Sequence, residues 1–191
     1  MNRFWTFLPT RRFRNSLLLA VAALLSGSAA NALNVRTAEQ CGVDLKQPAQ
    51  KIFANPNGKK VWKEYKTVKD IPEISNGYGS TAFYWSGSDG QFLIQVEEPG
   101  EDFNGYTDYC FNRLGNLTGL RYELRTAWGW GFREEGTIEH GSLQPSSTNF
   151  FDTKTDKKVP RPDMADDIPD ALKPRIYLLK SQLPFSRLLP K

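Results

Sequence analysis

The strongest pattern in the chain lies between Leu120 and Phe132. Every even position there is apolar, aromatic or β-branched: Leu120, Tyr122, Leu124, Thr126, Trp128, Trp130 and Phe132. The odd positions carry Arg121, Glu123, Arg125, Ala127, Gly129 and Gly131. Successive side chains of a strand point to opposite faces of its sheet, so strict alternation predicts one long β-strand over 120–132 with a single buried face. A helix would scatter these residues around its circumference, and two interior glycines would weaken it. Glycine inside a strand marks a bend, a bulge or a close approach to the backbone. Gly129 and Gly131 beside Trp128 and Trp130 therefore have two readings. They bend the strand while the tryptophans fill its inner side, or they open a slot beside an aromatic platform for a ligand.

The same patterning places the other elements. Residues 34–57 form a polar lead-in that lies across the sheet. Lys59–Lys69 mixes Val, Trp, Tyr and Thr with lysine and predicts an edge strand, where lysine discourages pairing with other chains. Residues 70–79, with Pro72, Asn76, Gly77 and Gly79, are a connection. Thr81–Trp85 and Phe92–Val96 flank Ser86-Gly87-Ser88-Asp89-Gly90 and predict a hairpin. Glu97–Gly105 reads as an acidic loop, Tyr106–Asn112 as a strand, and Gly115-Asn116 as the turn into the 120–132 strand. Beyond Arg133 the alternation loosens: Glu134-Glu135-Gly136 and Glu139-His140-Gly141 bracket a short segment, and Gln144–Ser147 is a loop. Thr148–Asp152 is a strand and 153–158 its turn. Short strands joined by short turns imply an antiparallel meander of neighbouring strands.

The last stretch, 160–191, is punctuated by Pro160, Pro162, Pro169, Pro174, Pro184 and Pro190, which rule out a long helix. Residues 165–173 make at most broken helical turns. Ile176–Leu179 and Leu183–Leu189 are apolar enough to pack back on the sheet as an extended tail. The fold class is thus mainly β: one domain, a curved antiparallel meander, a tethered N-terminal segment and an irregular Pro-rich tail.

Charge and targeting signals change the picture at the other end. Arg3, Arg11, Arg12 and Arg14 precede an apolar run, Leu17–Leu25, followed by small residues ending in Ala30-Asn31-Ala32. That order is the one of a cleaved export signal, read here as residues 1–32, and the run is too short to span a bilayer. Arg11-Arg12 also raises the twin-arginine route, although Phe13-Arg14-Asn15 departs from its usual pattern. The whole chain has 25 Lys+Arg against 21 Asp+Glu, but four of the arginines and no acid lie in this leader, leaving 21 of each in residues 33–191. A basic surface for nucleic acid is therefore not expected. No transmembrane segment is expected in the mature chain. Localisation is read as periplasmic or extracellular, in a bacterial setting.

An oxidising compartment makes a disulfide the default for the two cysteines, Cys41 and Cys110. Parity then places it. If Tyr109 and Phe111 face the core, Cys110 points to the other side, so the N-terminal segment must cross that side, which also carries Arg121, Glu123 and Arg125.

Candidate chemistry is sparse. His140 is the only histidine, and with Glu134, Glu135 and Glu139 it forms a candidate acid–base cluster, set against the plainer reading of a solvated loop. One histidine and a bonded cysteine pair leave no His/Cys set for zinc. The acidic loop Glu97–Asn104 has oxygen ligands but not the glycine spacing of a calcium-binding EF-hand. Nucleophile elbows, phosphate loops and dinucleotide fingerprints are missing from the sequence. No cofactor or metal is expected. The reading is an exported protein that binds an unidentified ligand or envelope partner without catalysis, leaning away from an enzyme. The alternatives are a carboxylate-dependent hydrolase, for instance on glycans, and a structural component of the envelope.

Overall fold

A computed structural model describes residues 36–56, 61–72, 79–163, 165 and 173–191. The leader read over 1–32, most of the 70–79 connection and most of the broken turns at 165–173 lie outside the described residues. All described residues belong to one compact unit within 34–191.

After a short helix α1 (Arg36–Gln40), nine strands follow among the described residues: β1 (Lys51–Asn55), β2 (Lys63–Tyr65), β3 (Ser80–Ser86), β4 (Phe92–Pro99), β5 (Phe103–Phe111), β6 (Leu117–Thr126), β7 (Trp130–Glu139), β8 (Ser142–Asp152) and β9 (Lys158–Val159). They form one antiparallel sheet in the order β2-β1-β3-β4-β5-β6-β7-β8-β9, a meander from β3 onward. The β3–β4 hairpin, the β5–β6 turn and the strand ending at Asp152 agree with the patterning. Lysine-bearing β2 is the edge strand expected there, shortened to three residues.

Four expectations are corrected. The stretch 120–132 is not one strand: it turns at 127–129, between β6 and β7. Leu124 faces Phe132 and Arg125 faces Gly131 across the hairpin, so even positions stay on one face through the turn. A three-residue loop closed by a left-handed glycine, Gly129 at φ +88°, preserves parity, and the alternation reads straight through it. The lead-in 34–57 contains β1, which pairs with both β2 and β3 and lies inside the sheet. The acidic loop contracts to a tight turn, since β4 runs to Pro99, β5 starts at Phe103, and Gly100 N–H donates to the Phe103 carbonyl at 2.7 Å. Beyond Arg133 the chain makes two long strands, with Gln144–Ser147 inside β8. β8 borders the two-residue β9 at the end of the sheet, and most of its side chains reach solvent, so it has no buried stripe to announce it.

The two faces separate by parity. On one, Phe53, Ile94, Tyr109, Phe111, Leu120, Tyr122 and Leu124 build the main core with Leu183, Phe185 and Leu189 from the tail. Phe185 stacks on Phe53 at 5.3 Å and leans on Trp62 at 4.6 Å. On the other, Leu93 and Cys110 pack with Ala38, Cys41 and Val43 of the N-terminal segment. The Cys41–Cys110 disulfide ties that segment to β5 with Cα atoms 5.6 Å apart, as parity required. Across 69 residues such a link stabilises the fold by roughly 4 kcal/mol on the chain-entropy account. Among the described residues no helix is long and apolar enough to cross a membrane.

A candidate binding cavity on the core face

Two cross-strand rows make the floor of a cavity. In one, Tyr122 of β6, Glu134 of β7 and Thr148 of β8 are direct neighbours; in the next, Leu124, Phe132 and Phe150 are. Each strand delivers alternate residues to this face, so pairing in register sets rings and polar groups side by side. Leu143 and Pro145 extend the floor along β8, and Arg161, Ala165, Lys173, Pro174 and Ile176 supply the facing wall. The cavity, open on one side, has a volume of about 700 Å³. The wall is anchored where the buried Tyr109 hydroxyl donates to the Arg175 carbonyl at 2.7 Å and the Tyr177 ring rests 5.7 Å from that of Tyr109.

The floor is chiefly aromatic and aliphatic, with few polar groups. Burial, and then the nearby Glu98 carboxylate, push the Tyr122 hydroxyl well above its usual range, so it remains a neutral donor. Glu98 is itself raised by the protein packed around it, against the opposing pull of Arg175. Among the described lining residues Glu134 is the one carboxylate and meets Thr148 Oγ1 at 3.5 Å; Arg161, whose guanidinium lies 5.8 Å from the Phe150 ring centre, and Lys173 are basic.

The residues singled out from the sequence are distributed as follows. Glu134 lines the cavity. Glu135 points to the opposite face, where it is buried and stands across from Arg121. Glu139 and His140 are exposed at the β7–β8 turn, and His140 and Gly141 adopt φ +50° and +79°, the left-handed pair of a two-residue hairpin. Six residues along a strand put His140 about 20 Å from Glu134, so these two do not meet, and Glu139 alone of the three acids neighbours the histidine. Trp128, 52% exposed, tops the β6–β7 turn with Gly129, and Trp130 is 8% exposed beneath it. Gly131 lies under the Phe151 ring, which fills the space beside it.

Trp128 and Trp130 are nonetheless joined to the cavity. Their rings stack at 6.3 Å; Trp130 lies 6.2 Å from Phe150, Phe150 5.2 Å from Phe132, and Phe132 6.5 Å from Tyr122. A continuous run of rings thus leads from an exposed tryptophan to the cavity floor. The patterning missed Arg161, Lys173 and Ile176 as lining residues, because only the path of the tail over the sheet brings them there. Phe150 was legible as a strand residue, but not as part of a site.

The other face carries ionic groups. Arg121 (6% exposed) donates to Asp108 at 3.0 Å and pairs with Glu123 (6% exposed). Glu123 also accepts from Arg125 at 2.6 Å and Arg133 at 2.8 Å, and Arg125 reaches Asp156 at 2.6 Å. These groups pair with one another, and among the described residues no cluster of three or more His, Cys, Asp or Glu is placed to hold a metal ion. Compared with models of known families, with characterised proteins and with solved structures, the chain matches none.

Proposed function

We propose that the protein is an exported, non-catalytic binding protein whose ligand occupies the core-face cavity between β6–β8 and the tail. The observation that carries this is the cavity itself. Its volume of about 700 Å³ falls within the range of roughly 300–1,000 Å³ typical of small-molecule sites, and its lining has the usual make-up of apolar walls with a few polar groups. The leader pattern of residues 1–32 and the Cys41–Cys110 disulfide support an oxidising destination outside the cytoplasm. Hydrolysis by paired carboxylates needs a second acid within about 5–10 Å of the first, and Glu134 is the only acid among the described lining residues.

The test uses protein recovered from the exported fraction, expected to begin at Leu33 or Asn31, and the neutral apolar fluorophore N-phenyl-1-naphthylamine. Its emission should rise on mixing with the wild type and fail to rise with Leu143→Trp, which places a large ring on the floor, while both proteins melt within a few degrees of one another. Equal enhancement by both proteins would place the probe elsewhere and reject the cavity as the site.

A further inference from the structure

The β6–β7 turn carries a second feature, outside the cavity. Trp128 is 52% exposed at the tip of that turn, and its ring stacks on that of Trp130 at 6.3 Å with 28° between the planes. Trp130 is 8% exposed and leans in turn on Phe150 at 6.2 Å. Exposed side chains ordinarily hop between rotamers within nanoseconds. This indole is backed by a ring fixed in the core, so its outer face is held toward solvent as a platform. Beside it the space is open, since a Cβ on Gly129 would meet nothing within 4 Å.

The surroundings narrow what such a platform fits. Ala127 N–H donates to the Asp102 carbonyl at 2.8 Å and Thr153 N–H to the Gly129 carbonyl at 3.0 Å, so turns 100–102 and 153–157 flank turn 127–129 on either side. Across these three turns Trp128 is the only large apolar side chain exposed. An aromatic side chain buries about 150–250 Å² in all, whereas a stable protein partner needs about 800 Å² from each side. One half-covered ring is too small a base for a protein interface, but it matches a single sugar ring. The flanking turns supply polar groups of both signs. Glu101 and Asp102 are exposed, and among the described residues their carboxylates have no ion pair or hydrogen bond; exposed Lys154 stands on the other side. Such a rim selects no single ligand charge, and it can accept from and donate to hydroxyls. A pyranose with all its hydroxyls equatorial has the complementary shape: its axial C–H bonds make both ring faces apolar, and its edge is a belt of hydroxyls.

We infer that Trp128 is a saccharide-stacking platform, separate from the cavity, that takes a neutral all-equatorial pyranose of the glucose or N-acetylglucosamine type face-on, with Glu101 and Asp102 accepting from its hydroxyls. Isothermal titration calorimetry of the exported protein with cellohexaose and with chitohexaose tests this without relying on indole emission. At least one of the two should bind, and the tighter one identifies the unit. Sorbitol, which has the hydroxyls without the ring face, should give no heat at the same concentrations. Trp128→Ala should lose at least tenfold in affinity while melting within a few degrees of the wild type, and Trp128→Phe should recover most of the loss. Glu101→Ala/Asp102→Ala should weaken binding several-fold; unchanged affinity there would overturn the role given to the carboxylates. Leu143→Trp, which obstructs the cavity floor, should bind the oligosaccharide as the wild type does, so failure of the cavity reading and failure of the platform are told apart. No heat with either oligosaccharide, equal affinity in the wild type and Trp128→Ala, or binding lost in Leu143→Trp but kept in Trp128→Ala would overturn the platform.

Discussion

Gly129 and Gly131 sit two positions apart and answer to different physics. A Cβ on Gly129 would meet nothing within 4 Å, yet its φ of +88° is strained for any other residue. A Cβ on Gly131 would lie 2.3 Å from Phe151 Cζ, in a ring flanked by the guanidiniums of Arg133 at 4.6 Å and Arg125 at 5.1 Å. Gly131 is therefore the seat of an aromatic side chain from the next strand, a recognised way of compensating a glycine in a sheet. Gly129→Ala should cost about 1–2 kcal/mol through backbone strain, and Gly131→Ala about 1–3 kcal/mol through overpacking. Urea denaturation in a Phe151→Leu background tells them apart: the Gly131→Ala cost should shrink there, and the Gly129→Ala cost should stay. Undiminished cost of Gly131→Ala in that background would mean that the ring is not what excludes a side chain.

Along β5 to β7 the legibility of the sequence and its limit have one cause. Parity is conserved by strand pairing, so the alternation of 120–126 assigned Arg121, Glu123 and Arg125 to one face, and the parity of Tyr109 and Phe111 placed Cys110 with them. Parity is also conserved by a three-residue turn, so the same alternation concealed the break at 127–129. The cavity was illegible for a different reason, since five of its fourteen described lining residues come from a tail whose route is set by tertiary packing. The ionic face makes a prediction of its own. Glu97 and Glu123 stand on either side of Tyr106 in one cross-strand row. Burial and then Asp108 raise the Glu97 carboxyl, whereas burial of Glu123 is outweighed by Arg121, Arg133 and Arg125, which lower it. A raised carboxyl contributes stability below the ordinary range near pH 4.3 and loses it as pH rises through its folded value; a lowered one contributes above that range and loses it as pH falls. Glu97→Gln should therefore raise the melting temperature at pH 7 and leave it unchanged at pH 3. Glu123→Gln should cost about 3–5 kcal/mol at pH 7, because it leaves buried arginines unbalanced, and progressively less in acid. Melting curves of both variants that run parallel to the wild type from pH 7 to pH 3 would contradict this assignment.

At the scale of the whole molecule, the sheet's main core is completed by residues near the end of the chain. Leu117 N–H donates to the Leu178 carbonyl, Lys180 N–H to the Gly115 carbonyl, and Phe185 closes over Phe53 of the first strand. Closing so long a loop is entropically unfavourable until both surfaces exist, which places tail docking after the meander has formed. Phe185→Ala should cost about 3–5 kcal/mol at equilibrium. Stopped-flow measurements should find nearly all of that loss as faster unfolding, with the refolding rate almost unchanged. Refolding slowed in proportion would put the tail in the folding nucleus instead. The seat of Phe185 is then a clock as well as a contact: how long each folded molecule survives is governed by how rarely the end of its chain lets go of the beginning.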